Sequence, residues 1–389
     1  MKTVALGDLA TINPREARLP PEVAVSFVGM AQLDAEAAMA RPLATRRFGE
    51  VSTGYTVFRD GDLLAAKITP CWENGKVGQA ALDNQIGVGS SEFHVVRPTP
   101  DADARYLLHF LRQPSVRIAG EARMTGSAGQ KRVPVAFLQD LRVPLPDLRE
   151  QRRIAAILDQ ADALRAKLRQ VLAHLDALSR SIFRDMFGDP GEWPDRWTMA
   201  TIGDAAASVQ YGTSAKAGAV GAWPILRMGN ITDRGRIDST DLKYLDLADA
   251  DISKYTVRRG DLLFNRTNSA EKVGKAAVVR DETSFALAGY LVRVRMRPIA
   301  DPEFVSAYLG SDHGRAIRRG MAKLAVNQAN ISASELKKIP IALPPMNLQR
   351  RFACLVAKIE SERSRIEASL AKDGELFEVL QSRAFSGQL

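Results

Sequence analysis

The chain has 389 residues, 46% hydrophobic and 25% charged, the ordinary balance of a soluble globular protein of two or three domains. Lys and Arg outnumber Asp and Glu by 54 to 45, a net charge of +9, which suits a polyanionic partner as well as it suits a moderately basic enzyme. The opening MKTVALGDLATINPRE is charged where an export signal needs an apolar core, and no apolar run approaches the roughly 20 residues of a membrane span. The two cysteines, Cys71 and Cys354, lie in opposite halves and build no disulfide framework, so a reduced, cytoplasmic setting is expected.

Along the chain, the first 146 residues alternate short apolar runs with Gly and Pro. RDGDLLAAKITPCWENGKVGQAAL (59–82) reads as a turn, a buried strand, a polar loop and a second strand, and EFHVVRP (92–98) as a further strand. A helix is expected near DARYLLHFLRQ (103–113), behind an acidic cap. After the Pro-rich stop VPLPD, apolar residues recur at Ile154, Ile157, Ala161, Leu164, Leu168, Val171, Leu175, Leu178 and Ile182, the 3-4 spacing of a coiled-coil seam. That helix is expected to run about 35–40 residues, or about 55–60 Å at 1.5 Å per residue.

The second half then says the same things again. RRGDLLFNRTNSAEKVGKAAVV (258–279) repeats the earlier phrase, Gly61 matching Gly260 at an offset of 199. Lys76-Val77-Gly78 matches Lys272-Val273-Gly274 at 196, Gln151-Arg152-Arg153 matches Gln349-Arg350-Arg351 at 198, and GYLVRVRM (289–296) and EFVSAYLGS (303–311) supply strand and helix. A second heptad run follows ALPPM, with Leu348, Phe352, Leu355 and Ile359; it admits Glu362 before Ile366 and continues loosely through Leu370, Leu376 and Leu380. Matches in constant order at one long offset indicate duplication of half the chain, since solenoid units are far shorter.

The expected fold is therefore α+β: two mixed α/β domains (1–146 and 188–344) separated by two long helices (147–187 and 345–389). Burying each large seam residue is worth about 1.5–3 kcal/mol, so the helices should pair. An intramolecular antiparallel coiled coil with pseudo-twofold symmetry is the preferred reading, and a dimer through the same seams is the competing one.

Chemistry is conspicuous by its lack. His94, His109, His174 and His313 have no metal-ligand spacing, and ENGKVG and KVGKAA are not phosphate-binding loops. No Asn/Asp-Pro-Pro-aromatic tetrapeptide of an amino-group methyltransferase is present. Binding is better supported than catalysis. Candidate DNA contacts in the first half are Lys67, Thr69, Asn74 and Lys76 in the loop after GDLL, with Thr125, Ser127, Gln130, Lys131 and Arg132 before the long helix. In the second half they are Asn265, Arg266, Thr267, Asn268, Ser269 and Lys272, then Lys323, Asn327, Gln328 and Asn330. Arg and Lys grip guanine edges or phosphates, Asn and Gln read adenine, and Ser and Thr adapt. An ordinary solvated loop explains the same residues about equally well. Arg318-Arg319 fits phosphate contact or a helix C-terminal charge pair.

GDLL, its polar loop and GKVG or KVGK, with PLPDLREQRRIAAILDQADAL (144–164) and its echo LPPMNLQRRFACLVAKIE (343–360), resemble the specificity subunits of type I restriction–modification systems over the whole length. The resemblance implies that 1–146 and 188–344 are target-recognition domains, each reading one half of a split double-stranded DNA site. It also implies that the helices are spacers that dock methyltransferase (modification) subunits. S-adenosylmethionine and ATP would be used by those subunits and by a restriction/translocase subunit, with no cofactor and no catalysis in this chain. A coiled-coil DNA-binding scaffold outside restriction–modification is the alternative.

Overall fold

The computed structural model describes residues 2–17, 19–127, 129–325 and 328–389. The chain divides into two compact units: Met1–Gln170 with Ile366–Leu389, and Val171–Arg365. The same plan is built twice.

In the first unit the GDLL phrase makes a tight turn and then the strand Leu63–Ala66. Gly61 has φ +84° and its counterpart Gly260 φ +87°, a backbone region where a side chain is strained. Asp62 accepts the Arg59 amide at 2.7 Å and the Arg97 guanidinium at 2.8 Å. Asp261 does the same with Arg258 at 3.0 Å and Arg295 at 2.9 Å. Leu63 and Leu64 face different core clusters, as do Leu262 and Leu263. A strand covered on both faces explains a continuous apolar run in place of alternation.

Leu63–Ala66 pairs antiparallel with Phe93–Pro98 on one side and Val77–Ala80 on the other, within a six-stranded sheet. A second sheet orders Ala44–Arg47, Ala24–Val28, Ile86–Ser90 and Tyr55–Arg59. The second unit orders Ala206–Tyr211, Leu291–Met296, Leu262–Asn265 and Ala276–Val278 in one sheet. Lys243–Leu245, Trp223–Leu226, Phe285–Leu287 and Thr256–Val257 form its companion. The short helices fall where their caps predict them. Ala104–Leu111 starts behind Asp103, which accepts the Tyr106 amide, and Pro302–Gly310 behind Asp301, which accepts the Glu303 amide.

The helices Leu148–Phe187 and Met346–Ser386 run 40 and 41 residues. Each carries a buried glutamine as its fourth residue. Gln151 accepts the Asp103 amide and donates to the Asp101 and Pro146 carbonyls. Gln349 accepts the Asp301 amide and donates to Ile299 and Pro344. Segments of the two helices pack antiparallel within each unit and join that unit's core. Ile154, Leu158, Phe377 and Ala384 share a cluster with Tyr106 and Phe110 in the first, and Phe183, Phe187, Phe352 and Val356 one with Trp193 and Phe304 in the second.

One row of the expected seam holds, with Ile154 buried and Ala161, Leu168, Leu175 and Ile182 half-buried, and the other shifts by one residue. Leu164, Val171 and Leu178 are 50%, 39% and 45% exposed, while Leu158 and Phe183 are buried and Leu168 and Leu172 half-buried. Arg165 occupies the seam in place of Leu164: its guanidinium lies 4.7 Å from the Phe377 ring centre and bonds Asp162 at 3.1 Å. On the partner helix Glu362 and Leu376 are exposed, and buried Arg363 takes the seam position, paired with Asp176. Both positions break the apolar pattern because a charged side chain finds its partner inside the helix pair. Among the described residues no helix is long and apolar enough to cross a membrane.

Candidate nucleic-acid interface

The two polar segments nominated in each half lie apart in sequence but are neighbours in the fold. In the second unit Thr267–Asn268, Gln328–Asn330 and Lys323–Ala325 form a three-stranded antiparallel sheet, with Thr267 and Lys323 both opposite Asn330. In the first unit Ile68 and Thr125 are both bridged to Arg132. The Thr69 amide donates to Lys131 at 3.0 Å and Val133 to Lys67 at 2.8 Å. The same three-strand ladder therefore recurs, with Arg132 and Asn330 at its centre.

Side chains on this common backbone differ. In the first unit Arg132 donates through Nε and Nη2 to Glu92 at 2.9 and 2.8 Å. These bonds from Arg132 hold the Glu92 carboxyl below its ordinary value, against the opposing effect of burial. Lys67 is half-buried and lines an open cleft of about 490 Å³ with Asn13, Arg15, Glu16, Phe48 and Phe93. Asn74, Ser127, Gln130 and Lys131 are exposed, and Thr69 is half-buried with its hydroxyl toward the Met124 sulfur. In the second unit the Arg266 guanidinium stacks 4.9 Å from the Tyr211 ring centre and donates to Asn330 Oδ1 at 3.3 Å. Asn330 donates in turn to Thr267 Oγ1 at 3.0 Å. Asn268 is half-buried, Ser269 and Gln328 are exposed, and Lys323 pairs with Glu335 at 2.9 Å. Asn327 lies outside the described residues.

Several nominated residues face inward. Asn265 is fully buried and donates to the Met228 carbonyl at 3.2 Å. Lys76 reaches the Met30 carbonyl at 2.9 Å. Its counterpart is not Lys272: the Lys76 carbonyl receives the Ala66 amide and the Lys275 carbonyl the Asn265 amide, so Lys76 matches Lys275 at the same 199 offset as GDLL. Exposed Lys272 stands 3.8 Å from Asp233. Arg318 is buried against the Val273 carbonyl at 2.9 Å, and burial pushes its guanidinium down to about 10; Arg319 remains exposed.

Tyr211, Tyr290 and Glu92 escaped the sequence reading because each sits at a strand end, away from the polar runs. Aligning the two halves on their strands places Glu92 opposite Tyr290 and would have exposed the divergence. Among the described residues no group of His, Cys, Asp and Glu is placed to hold a metal ion. The surface presents donors and acceptors with no nucleophile-and-base arrangement among the nominated residues, which suits recognition of a polar edge.

Comparison with known proteins points the same way. A family model described as the type I restriction modification DNA specificity domain matches residues 1–174. The type I restriction enzyme EcoEI specificity subunit of Escherichia coli is 26% identical over 451 residues, covering 89% of this chain and 75% of that protein. The EcoAI specificity subunit of the same species is 40% identical over 172 residues, covering 43% and 29%. A crystal structure of a type I restriction–modification S subunit from M. genitalium superposes with a TM-score of 0.57 at 14% identity, over 99% of this chain and 96% of that one. A chain from a study of complex assembly and conformational transition of the type I R-M system gives 0.56 at 18%, over 100% and 98%.

Proposed function

We propose, for a chain that belongs to the specificity-subunit family of type I restriction–modification systems, that each sheet-rich lobe reads one half of a two-part DNA target. Residues 1–146 and 188–344 are the two target-recognition domains in this reading. The observation that carries it is the repeated three-strand ladder, one backbone bearing two different sets of polar side chains. Two readers that share a scaffold and differ in sequence preference need that arrangement. Base contacts fall to exposed or half-buried ladder residues: Lys67, Gln130, Lys131 and Arg132 in the first lobe, Arg266, Asn268, Gln328 and Asn330 in the second. Lys and Arg around them supply phosphate contacts and affinity.

The long helices, 147–187 and 345–389, set the spacing of the half-sites and dock methyltransferase subunits. The exposed stripe of Leu164, Val171 and Leu178 supports a docking role, because apolar side chains seven residues apart on one helix face invite cover. Methyl transfer from S-adenosylmethionine and ATP-driven translocation and cleavage belong to the partner subunits.

Methylation-aware sequencing of DNA modified by the assembled complex tests the reading. A two-part target with an unread gap is expected. Exchange of residues 188–344 for the matching lobe of another family member should change one half only, and a change in both halves, or in neither, would refute it.

A further inference from the structure

One position outside the nominated residues recurs against the ladder in both units. The Lys67 amide donates to the Glu92 carbonyl at 2.9 Å, and the Arg266 amide to the Tyr290 carbonyl at 3.0 Å. Each residue directly precedes the strand next to GDLL, Phe93–Pro98 or Leu291–Met296. Glu92 and Tyr290 are 198 residues apart, the same offset that relates Arg132 to Asn330. The backbone position is shared and the chemistry is not.

In the first unit the Glu92 carboxylate grips Arg132 through Nε and Nη2, and Arg132 Nη1 donates to the Gln130 carbonyl at 3.3 Å. A guanidinium has five N–H donors. These three bonds leave one donor on Nη1 and one on Nη2. That pair of donors matches guanine O6 and N7. The pair is half-buried and bidentate, a geometry that fixes the guanidinium fork in one plane. In the second unit the position carries an aromatic ring that is 57% exposed, beside an Arg266 already stacked on Tyr211. A ring so placed offers apolar contact to a base edge such as the thymine methyl.

We infer that Glu92 and Tyr290 determine specificity: Glu92 positions Arg132 for a guanine in the first half-site, and Tyr290 contacts a base in the second. This rests on the two-lobe reading above. The test is methylation-aware sequencing of DNA modified by the assembled complex carrying wild type, Glu92→Gln, Tyr290→Ala or Tyr290→Phe. Glu92→Gln should weaken the preference at one guanine of the first half-site by roughly tenfold, leaving the second half-site unchanged. Tyr290→Ala should relax one position of the second half-site only, and Tyr290→Phe, which keeps the ring, should retain more of the preference there than Tyr290→Ala. The untouched half-site reports folding in each variant. Wild-type preference at every position in both Glu92→Gln and Tyr290→Ala overturns this inference alone, as does an equal loss across both half-sites. A wild-type complex with no two-part target overturns the reading beneath it as well.

Discussion

Gln349 satisfies three backbone groups from inside the protein, the Asp301 amide and the Ile299 and Pro344 carbonyls. Gln349→Leu keeps the volume and strands all three. At about 1–3 kcal/mol for each buried polar group left unpaired, the variant should lose about 3 kcal/mol or more in urea unfolding. Glu335 gives a pH signature. It closes a capping box with Ser332, and the Ser332 amide, then Lys323 and the Ser332 hydroxyl, hold its carboxyl down to about 2. A depressed folded value means stability that is present above the ordinary carboxylate value and lost as pH falls toward about 2. The unfolding midpoints of wild type and Glu335→Gln should therefore differ most near neutrality and converge on acidification from about pH 5 to about pH 2.

Asp176 and Arg363 are the buried charges between the long helices, and Asp176 also pairs with Arg234. Each keeps a second partner when the other is removed. Asp176→Leu leaves Arg363 beside Glu360 at 3.7 Å, and Arg363→Leu leaves Asp176 paired with Arg234, so each should cost less than the about 3–5 kcal/mol of a fully broken buried pair. The double Leu variant should recover most of the loss, which a double-mutant cycle in urea would measure. The helices themselves were legible in the sequence from their Pro-rich stops and heptads. Ile154, Leu168, Phe352 and Ile359 of the expected seam face inward, but the positions at Leu164 and Glu362 were misplaced by one residue because Arg165 and Arg363 read as surface charges until Phe377, Asp162 and Asp176 are seen around them. The candidate surface was partly legible for a related reason. Residue type drew attention to segments that pair into the ladder, but type says nothing about direction, and Asn265, Lys76 and Arg318 point to inward carbonyls. Direction follows from the pairing of segments distant in sequence, which local pattern does not encode.

For the whole molecule the proposed function implies that spacing and reading are separable. Four residues add about 6 Å to a helix, close to two base pairs of a duplex that advances about 34 Å per 10 base pairs. A matched four-residue insertion in both long helices should lengthen the unread gap by about two base pairs and leave both half-site sequences intact, as sequencing of methylated sites would report. A changed half-site would refute the separation. The alternative of a scaffold outside restriction–modification finds no support, since the relatives named above are all type I specificity subunits.

The first unit is also discontinuous in the chain: Phe377, Ala384 and Phe385 complete the core around Tyr106 and Phe110. A ribosome that has made residues 1–365 has therefore built the whole of the second unit and only part of the first. The lobe synthesised earlier is finished later, and its aromatic face must wait, while residues 171–365 are made, for the segment that covers it.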